Sequence, residues 1–115
     1  MQELTKVQIE KGSGTAVLRF KGDITSASKA VVVDSYQSLD KAAFKQIMMD
    51  FAGVEYLNSS GIALVIQVLM EANKNGQSVE CFGLTPHFQK VFTMLGLTKY
   101  TRLHPGEEAA RTALA

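Results

Sequence analysis

The chain has 115 residues, 46% of them apolar and 20% charged, and its 12 Lys and Arg against 11 Asp and Glu leave a formal net charge of +1. That length suits one ordinary domain, residues 1–115, since single domains of about 100–150 residues bury enough surface to stand without a disulfide or a structural metal. A charge so near zero supplies no basic field for nucleic acid or an anionic membrane, and one Cys with two His makes neither an internal disulfide nor a zinc site of four Cys or His ligands.

From the start, Val7 and Ile9 alternate with polar residues, Gly12-Ser13-Gly14 marks a turn, and Ala16 to Phe20 forms a second apolar run: an N-terminal hairpin. The opening MQELTKVQIEKGSG lacks the basic start and apolar run of a signal peptide, and no window reaches the roughly 18 apolar residues of a membrane span, so a cytoplasmic location is expected. Imperfect helical spacing predicts a helix over 27–42, with a short strand at Val31-Val32-Val33 as the alternative, because branched side chains favour strands.

Lys45 to Phe51 carries Ile47, Met48, Met49 and Phe51 without alternation, the pattern of a central strand covered on both faces. Ile62 to Ala72 is a long apolar helix that stops at Asn73-Lys74-Asn75-Gly76. Val79 to Leu84 reads as another buried strand. Thr85-Pro86 then caps a helix with Phe88, Val91, Phe92 and Leu95 at helical spacing and Gly96 as terminator. A short strand at 100–103 and a closing helix at 106–114 complete the order ββαβαβαβα, which predicts an α/β fold with a mostly parallel central sheet, an N-terminal hairpin and about four helices. In such sheets, sites lie beyond the carboxyl ends of the strands. Here that directs attention to Gly22 to Ser28 and Gly53 to Gly61.

Enzymatic motifs are missing. Neither GxxxxGK[ST] nor GxGxxG occurs, Asp50 alone sits near the end of the third strand while the first strand ends without an acidic pair, and Ser59 and Ser60 lie in L-N-S-S-G rather than GxSxG. His87 and His104, in polar contexts near helix starts, read as solvated or capping residues, and Cys81 as a small core residue. No metal, cofactor or catalytic residue is expected.

The informative segment is DFAGVEYLNSSGIALVIQVLM, residues 50–70, in which a buried strand passes through a loop into an apolar helix opened by Asn58, Ser59 and Ser60. One cap suffices for a helix, so either Asn58 or Ser59 caps it and the rest is solvated loop, or a serine hydroxyl here carries a phosphoryl group facing free backbone N–H donors and the positive end of the dipole. Turning the helix 100° per residue from Ile62 places Ala72, Val65, Leu69, Ile62, Ile66, Met70 and Ala63 on an arc from about 280° through zero to about 100°, with Leu64 and Val68 outside it at about 200° and 240°. Leu64 and Val68 then meet either a neighbouring helix or a partner protein.

These residues resemble the STAS domain of bacterial anti-sigma factor antagonists. Asp50-Phe51, Val54 and Leu57-Asn58-Ser59-Ser60-Gly61 with Leu64 are similar to that family's buried strand followed by a (D/N)-S-S-G-(L/I) helix start. Gly22-Asp23-Ile24-Thr25 resembles its G-E-(L/I)-D loop, and Gly83-Leu84-Thr85-Pro86 with Val91-Phe92 and Leu95-Gly96-Leu97 its later strand-to-helix segment. The resemblance covers about residues 5–112 and implies a STAS-type fold and a non-enzymatic switch. Such a protein binds an anti-sigma factor, often a serine kinase, and thereby frees a sigma factor. It implies Ser59 as phosphoacceptor, a serine phosphatase as the second partner, and a docking surface made of Asp23, Thr25, Asn58, Ser59, Ser60 and Gly61, to which Leu64 and Val68 would add. Asn58 stands where the family often has aspartate, and Thr25 where the loop usually has an acid. The alternative within the same family is a structural STAS subunit of a lipid-transport ATPase complex, which needs no phosphorylation.

Overall fold

The computed structural model describes residues 4–114. A five-stranded sheet runs in the order β1 (Lys6–Lys11), β2 (Thr15–Lys21), β3 (Gln46–Gly53), β4 (Ser78–Phe82) and β5 (Arg102–His104). The β1–β2 hairpin is antiparallel and every later pairing is parallel. Helices α1 (Lys29–Gln37), α2 (Ser59–Lys74) and α3 (Pro86–Met94) are the crossovers, and α4 (Glu107–Leu114) closes the chain. Parallel strands laid down in sequential order by right-handed crossovers put all their helices on one face. The main core is accordingly built there, from Leu18, Phe20, Ile47, Met49, Phe51 and Cys81 of the sheet with Tyr36, Val65, Leu69 and Phe92 of the three helices. β3 is apolar without alternation because its other face is also covered, Met48 joining Val17, Phe82 and Ala110 of α4 in a smaller second core.

The expected fold class and element order hold, with local corrections. The helix expected over 27–42 is shorter: a 3-10 turn at Ser26–Ser28 leads into α1, which ends at Gln37. It stops there because Lys41 folds back, its ammonium donating to the carbonyls of Tyr36, Gln37 and Leu39 at 3.1, 3.1 and 2.8 Å, which satisfies the last turn. Val31-Val32-Val33 lies inside α1, not in a strand, because Val32, Val33 and Tyr36 together supply its buried side. The last strand begins two residues later than expected, at Arg102. His104 is also corrected: it lies in β5 and its Nε2 meets Oε1 of the buried Glu80 at 2.6 Å, with Arg102 on the same carboxylate. Cys81 is fully buried, its thiol pushed up to about 12 by desolvation, so it is a packing residue.

α4 covers its face of the sheet through a small apolar contact and an ionic clamp. Arg19 of β2 reaches Asp50 at 2.9 Å and Glu107 of α4 at 2.8 and 3.1 Å, and also pairs with Glu10, while Arg111 closes on Glu107 from the helix side. Hydrogen bonds from Arg19 and then Arg111 lower the Glu107 carboxyl to about 2. A depressed carboxyl stabilises the fold above its unfolded value, near 4.5, and that contribution disappears as pH falls toward 2. Hydrogen exchange is therefore expected to show α4 amides losing protection across pH 4.5 to 2 before those of β3, and Glu107→Gln is expected to flatten that dependence.

Candidate functional site

Loops from the carboxyl ends of β2, β3 and β4 meet at one end of the sheet. The first two zip together beyond their strands: the Gly22 amide donates to the Gly53 carbonyl at 3.1 Å, that of Ile24 to Tyr56 at 3.1 Å, and that of Asn58 to Ile24 at 3.2 Å. Ile24 and Leu57 form an isolated parallel bridge, and both side chains are buried. The head of α2 is pressed onto this strip. A Cβ at Gly61 would stand 2.0 Å from the Ile24 carbonyl oxygen, so only glycine permits the contact. Gly83, with φ +83° after β4, similarly lets the third loop approach Ala52, whose nitrogen a Cβ would meet at 2.6 Å.

The capping of α2 is settled by Asn58, whose Oδ1 accepts from the Gly61 amide at 2.8 Å while its backbone stays extended. Ser59 and Ser60 therefore occupy the first two helical positions with exposed side chains that are not needed as caps. Asp23 is half-buried, and its carbonyl accepts the hydroxyl of Thr5 at the start of the hairpin. Its side chain lines a small polar pocket of about 160 Å³ with Glu55, Gly22 and Gly53.

Two residues expected to meet a partner are placed elsewhere. Thr25 is 6% exposed, and its hydroxyl accepts from the Ala27 amide in a reciprocal capping box with Ser28. It shapes the loop from inside. Val68 is 0% exposed and belongs to the main core, and Leu64 is half-buried against that core. The reason is the direction of packing. The buried positions Gly61, Val65, Val68, Leu69 and Ala72 cluster between about 240° and 340° on the wheel, because α2 leans toward α1 as well as onto the sheet. The arc taken for core from apolarity alone is therefore rotated, and within it Ala63 and Met70 are exposed while Ile62 and Ile66 are half-buried at the edge of the core.

Of these, Ile62, Ala63 and Ile66 line a groove of about 590 Å³ between α2 and α3, bordered also by Tyr56, Leu57, Asn58, Ser59, His87, Phe88, Val91 and Leu95, a feature that no sequence motif marked. Its lining is apolar along the helices and polar at the head, where Ser59 sits. Val68→Gln is thus expected to destabilise the free domain by about 2–5 kcal/mol in urea titration, while Ile66→Gln, already partly wet, changes it by less than about 1 kcal/mol.

A family model described as "Mlab, STAS domain" matches residues 7–105. The chain belongs to the STAS_2 family. Its fold is shared by several solved proteins. An anti-sigma factor antagonist from Mycobacterium paratuberculosis aligns with a TM-score of 0.81 at 19% identity, over 96% of this chain and 93% of that one. The Bacillus cell fate determinant SpoIIAA, solved in its phosphorylated form, gives a TM-score of 0.67 at 22% identity over 95% and 99%. RsbS from Moorella thermoacetica gives 0.73 at 16% identity over 94% and 93%. Such identities relate this STAS domain to the three by fold. Among its described residues, no helix is long and apolar enough to cross a membrane.

Proposed function

We propose that this STAS domain is an anti-sigma factor antagonist, a non-enzymatic cytoplasmic module that binds an anti-sigma factor with serine kinase activity and so releases a sigma factor, and that phosphorylation of Ser59 switches it off. One observation carries this reading: Asn58 alone caps α2, so the exposed Ser59 hydroxyl at the first helical position is left free for chemistry. Transfer of the γ-phosphoryl group of ATP forms the Oγ–P bond, releases ADP and sends the hydroxyl proton to the kinase's base. The product dianion faces the unpaired N–H groups and positive dipole end of a 16-residue helix, so the fold tolerates it. A serine phosphatase restores the binding form. Docking uses Asp23, Asn58, Ser59 and Ser60 at the head of α2, with Gly61 holding that head against the Ile24 strip.

Copurification from the source cell followed by mass spectrometry tests the partner, and phosphopeptide mapping after incubation with that kinase tests the site. Modification is expected at Ser59 with Ser60 spared, whereas modification of Ser60 with Ser59 untouched overturns the assignment. A second reading, a structural STAS subunit of a lipid-transport ATPase complex, is favoured by the matching model's description, Mlab. Copurification of a permease with its ATPase, and no serine kinase, decides for it.

A further inference from the structure

Three polar groups at the head of the α2/α3 groove are unengaged. Asn58 and Thr85 cap the two helices by accepting from the amides of Gly61 and Phe88. The Tyr56 phenol, the Ser59 hydroxyl and the His87 imidazole line the same groove, belong to exposed residues, and have no side-chain hydrogen bond among the described residues. α2 and α3 both run back from strand carboxyl ends, so their first turns, with Ser59 at the first position of α2 and His87 at the second of α3, stand on the same side of the sheet. The His87 ring packs edge-on against the buried Phe88 with centroids 4.8 Å apart, which anchors it at the groove.

The groove's lining contains no Asp, Glu, Lys or Arg, so His87 is its one residue able to carry positive charge. The charged residues next in sequence to this lining belong to other pockets: Glu55, beside Tyr56, lines the polar pocket with Asp23, and Lys90, beside Val91, lines another on α3 with Gln89 and Met94. The α2 residues bordering the groove, Ser59 to Ile66, are all uncharged. A dianion added at Ser59 thus shares this groove with one imidazole able to take positive charge and one phenol donor, and with no carboxylate.

We propose that His87, assisted by Tyr56, receives the phosphoryl group of phosphoserine at position 59 across the head of the groove. This deepens the proposed function and rests on Ser59 being the modified residue. The phosphate then does more than add charge to a docking surface: bridging from α2 to α3, it covers the apolar entrance between Ile62 and Phe88. His87 acts here as a positioning residue for the switched-off state, with no part in the transfer itself.

The test installs phosphoserine at position 59 of the full chain during translation, so no kinase is needed, and titrates its phosphorus-31 resonance with pH. An opposite charge within about 4–6 Å lowers an acid's pKa by about one unit or more, and a phosphoserine otherwise titrates near pH 6. The phosphate midpoint is expected about one pH unit lower in the otherwise native chain than in His87→Gln, and Tyr56→Phe is expected to remove a smaller part of that difference. Coincident midpoints in the native and His87→Gln chains overturn the proposal. Because the phosphate is introduced without a partner, that failure leaves kinase mapping at Ser59 unaffected, and a failed kinase assay leaves this titration unaffected.

Discussion

Gly61→Ala is expected to cost the domain several kcal/mol, read as a large drop in the urea midpoint. In an open helix the same change stabilises by about 0.5–1 kcal/mol, since alanine loses less backbone entropy than glycine. Here the new methyl would lie 2.0 Å from the Ile24 oxygen, 2.5 Å from its carbonyl carbon and 3.1 Å from its Cγ2. The obstacle is backbone held on both sides, by the Ile24 amide on Tyr56 and the Asn58 amide on the Ile24 carbonyl, around a side chain with no exposure. Relief requires the head of α2 to lift from the 22–25 strip, breaking those bonds and opening the core at Ile24 and Leu57. Gly106→Ala, where a Cβ would meet nothing within 4 Å, is the matched control and is expected to be near neutral. Equal midpoints for the two variants would mean that α2 does not press on this loop. The consequence for the proposed docking surface follows from the same contact, because Gly61 is what holds the loop of Asp23 against the helix start that carries Ser59.

Residues with one dominant local cause were legible in the sequence. Thr85-Pro86 before Phe88 marked the start of α3, and Asn58-Ser59 before an apolar run marked the start of α2 without choosing which of the two caps it, since both effects act within three residues. Residues whose role depends on a neighbour distant in sequence were not. Val68 reads as peripheral on a wheel centred on apolarity, and only the presence of α1 on that flank makes it core. Thr25 aligns with a docking acid in the family pattern, yet its own loop turns it inward to cap Ala27. His104 looks solvated beside Pro105 and Gly106, and the buried Glu80 that engages it lies 24 residues earlier on the next strand. The groove combines both problems, because Ile62 and Ile66 match a core pattern as well as Val65 and Leu69 do. Which pair remains at the surface is decided by the separation of α2 from α3.

Ser59→Asp is expected to weaken partner binding by about 100-fold or more while leaving the melting temperature within a few degrees of native. The two effects part because the free and bound states treat the same charge differently. In the free domain the side chain is exposed at the first position of α2, where a carboxylate interacts favourably with the unpaired amides by about 0.3–1 kcal/mol. In the proposed complex that carboxylate would have to be desolvated against a surface fitted to a neutral hydroxyl, a cost of several kcal/mol unless a cation awaits it. Ser59→Ala separates charge from hydroxyl: it removes at most one neutral hydrogen bond, worth about 1 kcal/mol, and is expected to bind within about tenfold of native while resisting phosphorylation. Calorimetric titration against the isolated kinase, alongside thermal unfolding of each free variant, provides both readings. Native affinity in Ser59→Asp would remove Ser59 from the interface, and a collapse of its melting temperature would show that the hydroxyl serves the fold of α2 instead of a partner.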